Sequence, residues 1–591
     1  MRTILAFTLA MTLTAAAQQK TDLPSGYWPL AKSEEILAKT QTIRLAPDLS
    51  SLTADEKSAL KDLLEVGGYM QKLYEEQLHH QAAYALDRLK VVDIQLAQPK
   101  ATQNLLNIYR LFNGPIATTL TNTREAFLPV DEQRPTRNMY PLDATKEEID
   151  AFLAANPGSR EEILGERTVV RRATKENIGR DLQVLNVYAE LRALHPEETE
   201  RLREARQGAG NPKFFYAVPY AIAYADYLVP AFRLLNRAST SLHASDPEFA
   251  RYLRNRARDL LSNDYESGDA SWVTGRFNKF NAQIGSYETY DDALYGVKAF
   301  HSASILLANE KATAELRKAL GGLQAIEDAL PYENRKRVKE DIPVGVYDVI
   351  ADFGQARGTN TATILPNDPL FSRRYGRTIL LRENIMKNPD IFAADQRVWK
   401  AATLDAHAND LAAEGNFQRT LWHEIGHYLG VDRDKQGRTL DVALEDYADS
   451  IEEMKSDLVS LFALHRNNHP SLRAIQASGI RRTLQNVKPR TDQAYQRMQL
   501  VQFNWFLENG LIEADPKTAR LKINYEKYPA VVQSLLKETL KLQHEGDKAA
   551  AAAFFDRWTK WTPEVHEKLA ARIREAQGAR WRIVRYAALG E

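Results

Sequence analysis

The sequence predicts a mainly helical α+β protein with one small β region, built as two lobes separated by a wide cleft. Three observations carry that prediction. Helix-start signals recur along the chain, each ahead of apolar residues at helical spacing. One stretch in the middle third, residues 344–352 (Val-Gly-Val-Tyr-Asp-Val-Ile-Ala-Asp), has the β-branched density of a strand. The chain is 591 residues long, enough for several cores at roughly 100–200 residues per domain.

Residues 1–17 read as a secretory signal. Arg2 supplies a charged start, residues 4–13 a short apolar run, and Ala15-Ala16-Ala17 a small-residue cleavage site before Gln18. That run is too short to span a bilayer. The expectation is an exported protein, periplasmic or extracellular. The chain has no cysteine, so stability after export rests on packing and, locally, on metal. Residues 18–29 read as a linker.

Thr53 with Glu56 is a capping box opening a helix that carries Leu60, Leu63 and Leu64. Thr145 with Glu148 repeats the signal before Ile149, Phe152 and Leu153, and Asn156-Pro157-Gly158 ends that helix. Residues 214–229 are apolar but interrupted by Pro219 and Asp226, which predicts a buried helix rather than a membrane span. Asp246-Pro247-Glu248 places an N-cap before a proline at the first helical position.

Residues 263–292 are dense in Gly, Asn, Tyr and Asp and read as loops and short strands, the usual setting of a binding surface. A second strand is expected over 378–381, after a loop at 358–368. From Val398 onward the chain reads helical again, and Thr562-Pro563-Glu564 opens the last long helix. The division that follows is an N-terminal, mostly helical lobe over 18–300 ending in a substrate-facing segment, a mixed segment over 301–390 with a small β core, and a helical metal-binding lobe over 391–591. The 78 basic and 78 acidic residues balance, which leaves neither a nucleic-acid footprint nor a membrane-surface patch.

The chemistry is concentrated at His423-Glu424-Ile425-Gly426-His427. Residues four apart share a helix face, so both imidazoles can close on one metal ion with the Glu424 carboxylate beside them as a base. A catalytic zinc site needs a third protein ligand. The helical segment 441–464 offers two Glu-x-x-x-Asp pairs, Glu445 with Asp449 and Glu453 with Asp457. In either, the glutamate can bind metal while the aspartate receives the second ring N–H of a ligand histidine. Spacing alone does not separate them.

The stretch Ile451-Glu452-Glu453-Met454-Lys455-Ser456-Asp457 resembles the Glu-Glu-x-Arg/Lys-Ala-Asp/Glu motif of the dipeptidyl peptidase III family of zinc metallopeptidases, and His-Glu-x-x-His resembles the five-residue form of its bacterial branch. Ile284-Gly285-Ser286-Tyr287-Glu288-Thr289-Tyr290-Asp291-Asp292, Leu365-Pro366-Asn367-Asp368 and the helix from Val501 to Glu508 are similar to further blocks of that family, in the same order. The resemblance implies one Zn2+ per chain held by His423, His427 and Glu453, with Glu424 as general base and Glu452 and Asp457 as carboxylates behind the ligands. It also implies an oligopeptide substrate, cut by activated water, with release of N-terminal dipeptides.

Where the family carries a tyrosine before the Ile-Gly pair this chain has Gln283, so Tyr287 or Tyr290 is the candidate phenol. A family histidine is matched by Tyr495, a family asparagine by Ile364, and the glutamate that helps hold the substrate amine by Asn281. Asn367 and Glu288 are the remaining candidates for substrate contacts. These departures keep two alternatives in play: a zinc hydrolase of another amide or acyl substrate, and a catalytically silent zinc-stabilised binding protein.

Overall fold

The computed structural model describes residues 23–208, 214–333, 335–338, 343–358, 360–365, 371, 374–376, 378–489 and 494–591. The signal reading of 1–17 and the candidate Asn367 lie outside them. The chain divides into two units, residues 1–38 with 81–133 and residues 39–80 with 134–591. In the smaller, the helices Leu30–Leu37, Ala82–Gln95 and Lys100–Phe112 accompany an antiparallel hairpin of Ile116–Thr118 and Arg124–Ala126. The Tyr109 hydroxyl donates to the Ala82 carbonyl at 3.0 Å, tying two of these helices together.

The larger unit carries the candidate site. Its first long helix, α1 (Ala54–Leu78), begins with the expected capping box: Thr53 accepts from the Glu56 amide and Glu56 returns the bond to Thr53. The helices α2 (Ala225–Leu242), α3 (Pro247–Ser262) and α4 (Glu266–Thr274) follow. A five-stranded sheet comes next, from β1 (Phe280–Glu288), β2 (Phe300–Ala308), β3 (Val344–Gly354), β4 (Ala362–Leu365) and β5 (Thr378–Arg382), in spatial order β1-β2-β3-β5-β4. Only the β3–β5 pairing is parallel.

At β3 and β5 this sheet contributes to two hydrophobic cores. Successive strand residues face opposite sides. On β5, Leu380 joins a core built with α1, α2 and α3, while Ile379 and Leu381 join a second core built from the C-terminal helices. On β3, Val344 and Val346 face the second core, and Val349, Ala351 and Phe353 the first. The second core gathers α5 (Ala413–Gly426), α6 (Ala448–Arg466), α7 (Leu472–Thr483), α8 (Ala494–Glu508) and α9 (Tyr528–Glu545). The mainly helical α+β expectation therefore holds, and among the described residues no helix is long and apolar enough to cross a membrane.

Three local expectations are corrected. Residues 215–219, expected to begin a buried helix, form a strand paired antiparallel with Thr168–Arg172. A short apolar run carries no periodicity that separates the two states. Within 263–292, Glu266–Thr274 is helical because a neighbour completes its start: the Asp259 carboxylate accepts from the Gly268 amide at 2.9 Å and the Ser267 hydroxyl at 2.8 Å. The segment 441–464 is not one helix, since a 3-10 turn at Glu445–Tyr447, with Glu445 at φ 46°, separates Leu440–Leu444 from α6.

Candidate metal centre

Helix α5 carries His423 and Glu424, and His427 is the residue directly beyond its last turn. Helix α6 carries Glu452, Glu453, Lys455 and Asp457. The two helices approach closely because Gly426 has no side chain: a Cβ there would lie 2.7 Å from the Ser456 backbone and hydroxyl oxygens. The Ser456 hydroxyl also donates to the His423 carbonyl. These contacts place the histidine face of one helix against the carboxylate face of the other.

The result is a compact donor set. One ligand atom each from His423, His427 and Glu453 lies within 4.8 Å of the others. Glu453 Oε2 is 3.1 Å from His423 Nε2 and 3.8 Å from His427 Nε2. Donors about 2.0–2.1 Å from a tetrahedral zinc ion stand about 3.3 Å apart, so this spacing fits. Glu453 Oε2 is also buried without a hydrogen-bond partner, as a carboxylate oxygen reserved for a cation would be. Glu445 and Asp449 are not part of this set: both residues are exposed, and Glu445 pairs with Lys548 at 2.7 Å.

The other ring nitrogens are already engaged. His423 Nδ1 lies 2.7 Å from Asp457 Oδ1, and His427 Nδ1 lies 3.0 Å from Glu452 Oε1. Those bonds leave both Nε2 atoms for a metal. Asp457 is fully enclosed, yet its pKa is lowered: burial opposes ionisation, and Arg482, His423 and Arg419 together outweigh it. Arg482 Nε donates to its Oδ2 at 2.9 Å and Arg419 Nη1 to its Oδ1 at 3.1 Å. Glu452, likewise desolvated, is held down to about 2 by Lys455 and His427. Burial works against a charged His423, but Asp457 and Glu453 raise its pKa to about 9. The pocket thus favours positive charge where the two imidazoles and Glu453 meet. Glu424 is half-buried on the same turn of α5 as His423.

The remaining predicted residues fall in different places. Tyr495, on α8, is 47 % exposed, with the Arg482 guanidinium 5.5 Å from its ring centroid. Partial burial first, then the Glu453 and Glu424 charges, pushes its phenol above the usual range. Tyr290 is exposed, and Glu288 closes β1 opposite Phe300. Asn281 and Tyr287 are held by other side chains. Asn281 accepts from Trp272 Nε1 at 2.8 Å and donates to the Tyr347 hydroxyl at 3.0 Å. The Tyr287 hydroxyl donates to Asp269 at 2.7 Å, beside the buried Arg256. Sequence reasoning missed Arg419, Arg482 and Gln543. Arg419 had a signal, being one turn before His423 on the same face; the other two come from α7 and α9 and had none.

No family model matches this chain. A curated relative, Nudix hydrolase 3 of Arabidopsis thaliana, is 24 % identical over 442 residues, covering 72 % of this chain and 54 % of the relative. The chain thus spans about half the length of the curated relative it matches. Among solved structures, DPP III from Caldithrix abyssi superposes with a TM-score of 0.77 at 23 % identity, over 94 % of this chain and 99 % of that one. Dipeptidyl-peptidase III from Corallococcus sp. strain EGB does so with a TM-score of 0.69 at 23 % identity, over 95 % and 98 %. At that identity the likeness is one of fold, and the fold this chain shares is that of the dipeptidyl-peptidase III structures.

Proposed function

We propose that this chain is a zinc-dependent peptidase of the dipeptidyl-peptidase III type, acting on oligopeptides. The observation that carries the reading is the convergence of His423 Nε2, His427 Nε2 and Glu453 Oε2 within a fold whose solved relatives bear that name. His423, His427 and Glu453 would hold one Zn2+ per chain. Zinc bound there would supply a Lewis acid that lowers the pKa of water to about 7 and polarises a peptide carbonyl.

The chain's own groups do the rest. Glu424 takes the proton from the attacking water and delivers it to the leaving amine. Asp457 and Glu452 hold the two rings in the tautomer that presents Nε2. Tyr495, whose phenol lies in the field of Glu453 and Glu424, is the phenol this reading assigns to donate to the substrate. The same reading keeps residues 1–17 as an export signal and the helical stretch 391–591 as the metal-binding lobe.

One observation supports a second reading, a zinc hydrolase of another amide or acyl substrate. Asn281 is buried, with its amide oxygen engaged by Trp272 and its amide nitrogen by Tyr347, which disfavours it as the group that holds a free amine. Assaying the zinc-loaded protein on one peptide with a free or an acetylated N-terminus separates the two. Dipeptide release from the free form alone supports the first; equal cleavage of the acetylated form replaces it with the second; no turnover of either by zinc-loaded protein removes both.

A further inference from the structure

His427 has a placement problem that His423 does not. His423 lies inside α5, held by α-helical backbone bonds, whereas His427 lies just past Gly426, where the chain leaves the helix through tighter turns, Tyr428 N–H donating to the Ile425 carbonyl at 2.9 Å and Leu429 N–H to the Gly426 carbonyl at 3.1 Å. A ligand on such a turn, outside the α-helical ladder, gains from a further device that fixes it. The structure contains one, and it is a lysine.

Lys455 Nζ donates to the Gly426 carbonyl at 2.8 Å and to the Leu429 carbonyl at 2.8 Å, the backbone on either side of His427. The same ammonium pairs with Glu452 Oε1 at 2.7 Å. Glu452 Oε1 is also the atom bonded by His427 Nδ1. All three donors of the ammonium are thereby used. Gln543, from α9, donates to the other Glu452 oxygen at 2.9 Å, so that carboxylate cannot swing. The Lys455 side chain is only 1 % exposed. Gly430, in the left-handed region at φ 83°, lets the chain turn over its stem, where a Cβ would already stand 3.4 Å from Lys455 Cδ.

Burying an ammonium costs several kcal/mol unless it is fully paired. The C-terminal end of a helix and a carboxylate are where a cation recovers that cost. Glu452 and Lys455 are three apart on α6 and share a face. We propose that Lys455 is a positioning residue of the metal centre: by tying the backbone flanking His427 to the carboxylate that bonds its ring, it fixes where His427 Nε2 points. This rests on the metal-centre reading above.

The test is zinc affinity, measured by competition with a chelator, alongside thermal unfolding of the metal-free protein. Lys455→Met is expected to bind zinc about 10–100-fold more weakly, the range for loss of a group behind a ligand. Lys455→Arg, which keeps the cation, is expected to recover most of that loss. Glu452→Gln reads the brace from its other end and should weaken zinc to a similar degree, with the double variant no weaker than the worse single one. Lys455→Met with lowered thermal stability but wild-type zinc affinity overturns the inference, as do additive losses in the double variant. Where Lys455→Met does not fold, unchanged affinity in Glu452→Gln overturns it. Wild-type protein that takes up no zinc overturns the metal reading and this inference together, which separates the two failures.

Discussion

The metal centre and the 263–292 segment are both dense in polar side chains, and they differ in how those side chains are closed. In 263–292 Tyr290 is exposed, but Asn281 and Tyr287 are closed within the protein: Trp272, Asn281 and Tyr347 form a hydrogen-bonded line, and Tyr287 bonds Asp269 beside Arg256. Between α5 and α6 the outer atoms are closed in the same way, but the inner ones are not. Both Nδ1 atoms are bonded, while both Nε2 atoms and Glu453 Oε2 converge with that oxygen lacking a hydrogen-bond partner. A network complete within the protein is scaffold; one complete except toward a single point is a site.

The largest expected effect comes from removing a convergent atom. Glu453→Ala is expected to lose stoichiometric zinc and with it all peptide hydrolysis, whereas Glu445→Ala retains both, since Glu445 faces Lys548 at the surface. Metal analysis of the two purified variants decides it, and the reverse result would move the site. Next is Glu424→Gln, which keeps zinc and fold but lowers kcat by about 10²–10⁴, the usual share of a general base. Wild-type turnover in that variant would remove Glu424 from the chemistry.

A smaller effect is expected one shell out. Asp457→Asn removes the charge that orients His423 and leaves Arg419 and Arg482 facing a neutral amide. Zinc affinity should fall by about 10–100-fold, as read by chelator competition. An unchanged affinity would mean that helix α5 alone places His423, and the two histidines would then differ more than their matching carboxylates suggest.

How much of this was legible in the sequence follows from the range of the interactions. Thr53 with Glu56, Thr145 with Glu148 and Asp246 act on amides three residues away, and each caps its helix as expected. The His423–His427 pair is local in the same sense. The strand at 215–219 and the helix at 266–274 were missed because each is completed by a distant partner, Thr168–Arg172 in one case and the Asp259 carboxylate in the other. Spacing could not choose Glu453 over Glu445 and only the motif resemblance did; the break at Glu445–Tyr447 that sets them apart depends on a left-handed residue that no periodicity announces. Lys455 was visible only as a motif letter. Its acceptors are carbonyls 26 and 29 residues away in sequence, and backbone acceptors leave no trace in side-chain pattern.

The smallest effect on activity is expected in 263–292, and it is the one that most sharpens the contrast. By sequence, Tyr287 and Tyr290 are the candidates for the phenol that Gln283 does not supply, and Tyr495 stands where the family carries a histidine. Its hydroxyl is already donated to Asp269, a carboxylate that also accepts from Arg256. Tyr287→Phe removes one donor from a buried carboxylate, which costs about 1–3 kcal/mol of stability, and takes nothing from a site whose phenol is Tyr495. The urea midpoint should therefore fall while kcat/KM per folded molecule stays at the wild-type value. Tyr495→Phe should do the opposite, since Tyr495 is 47 % exposed and its phenol lies in the field of the Glu453 and Glu424 carboxylates. If Tyr287→Phe instead loses turnover at unchanged stability, the hydrogen bond to Asp269 is one that substrate binding exchanges, and the segment read as scaffold belongs to the active site.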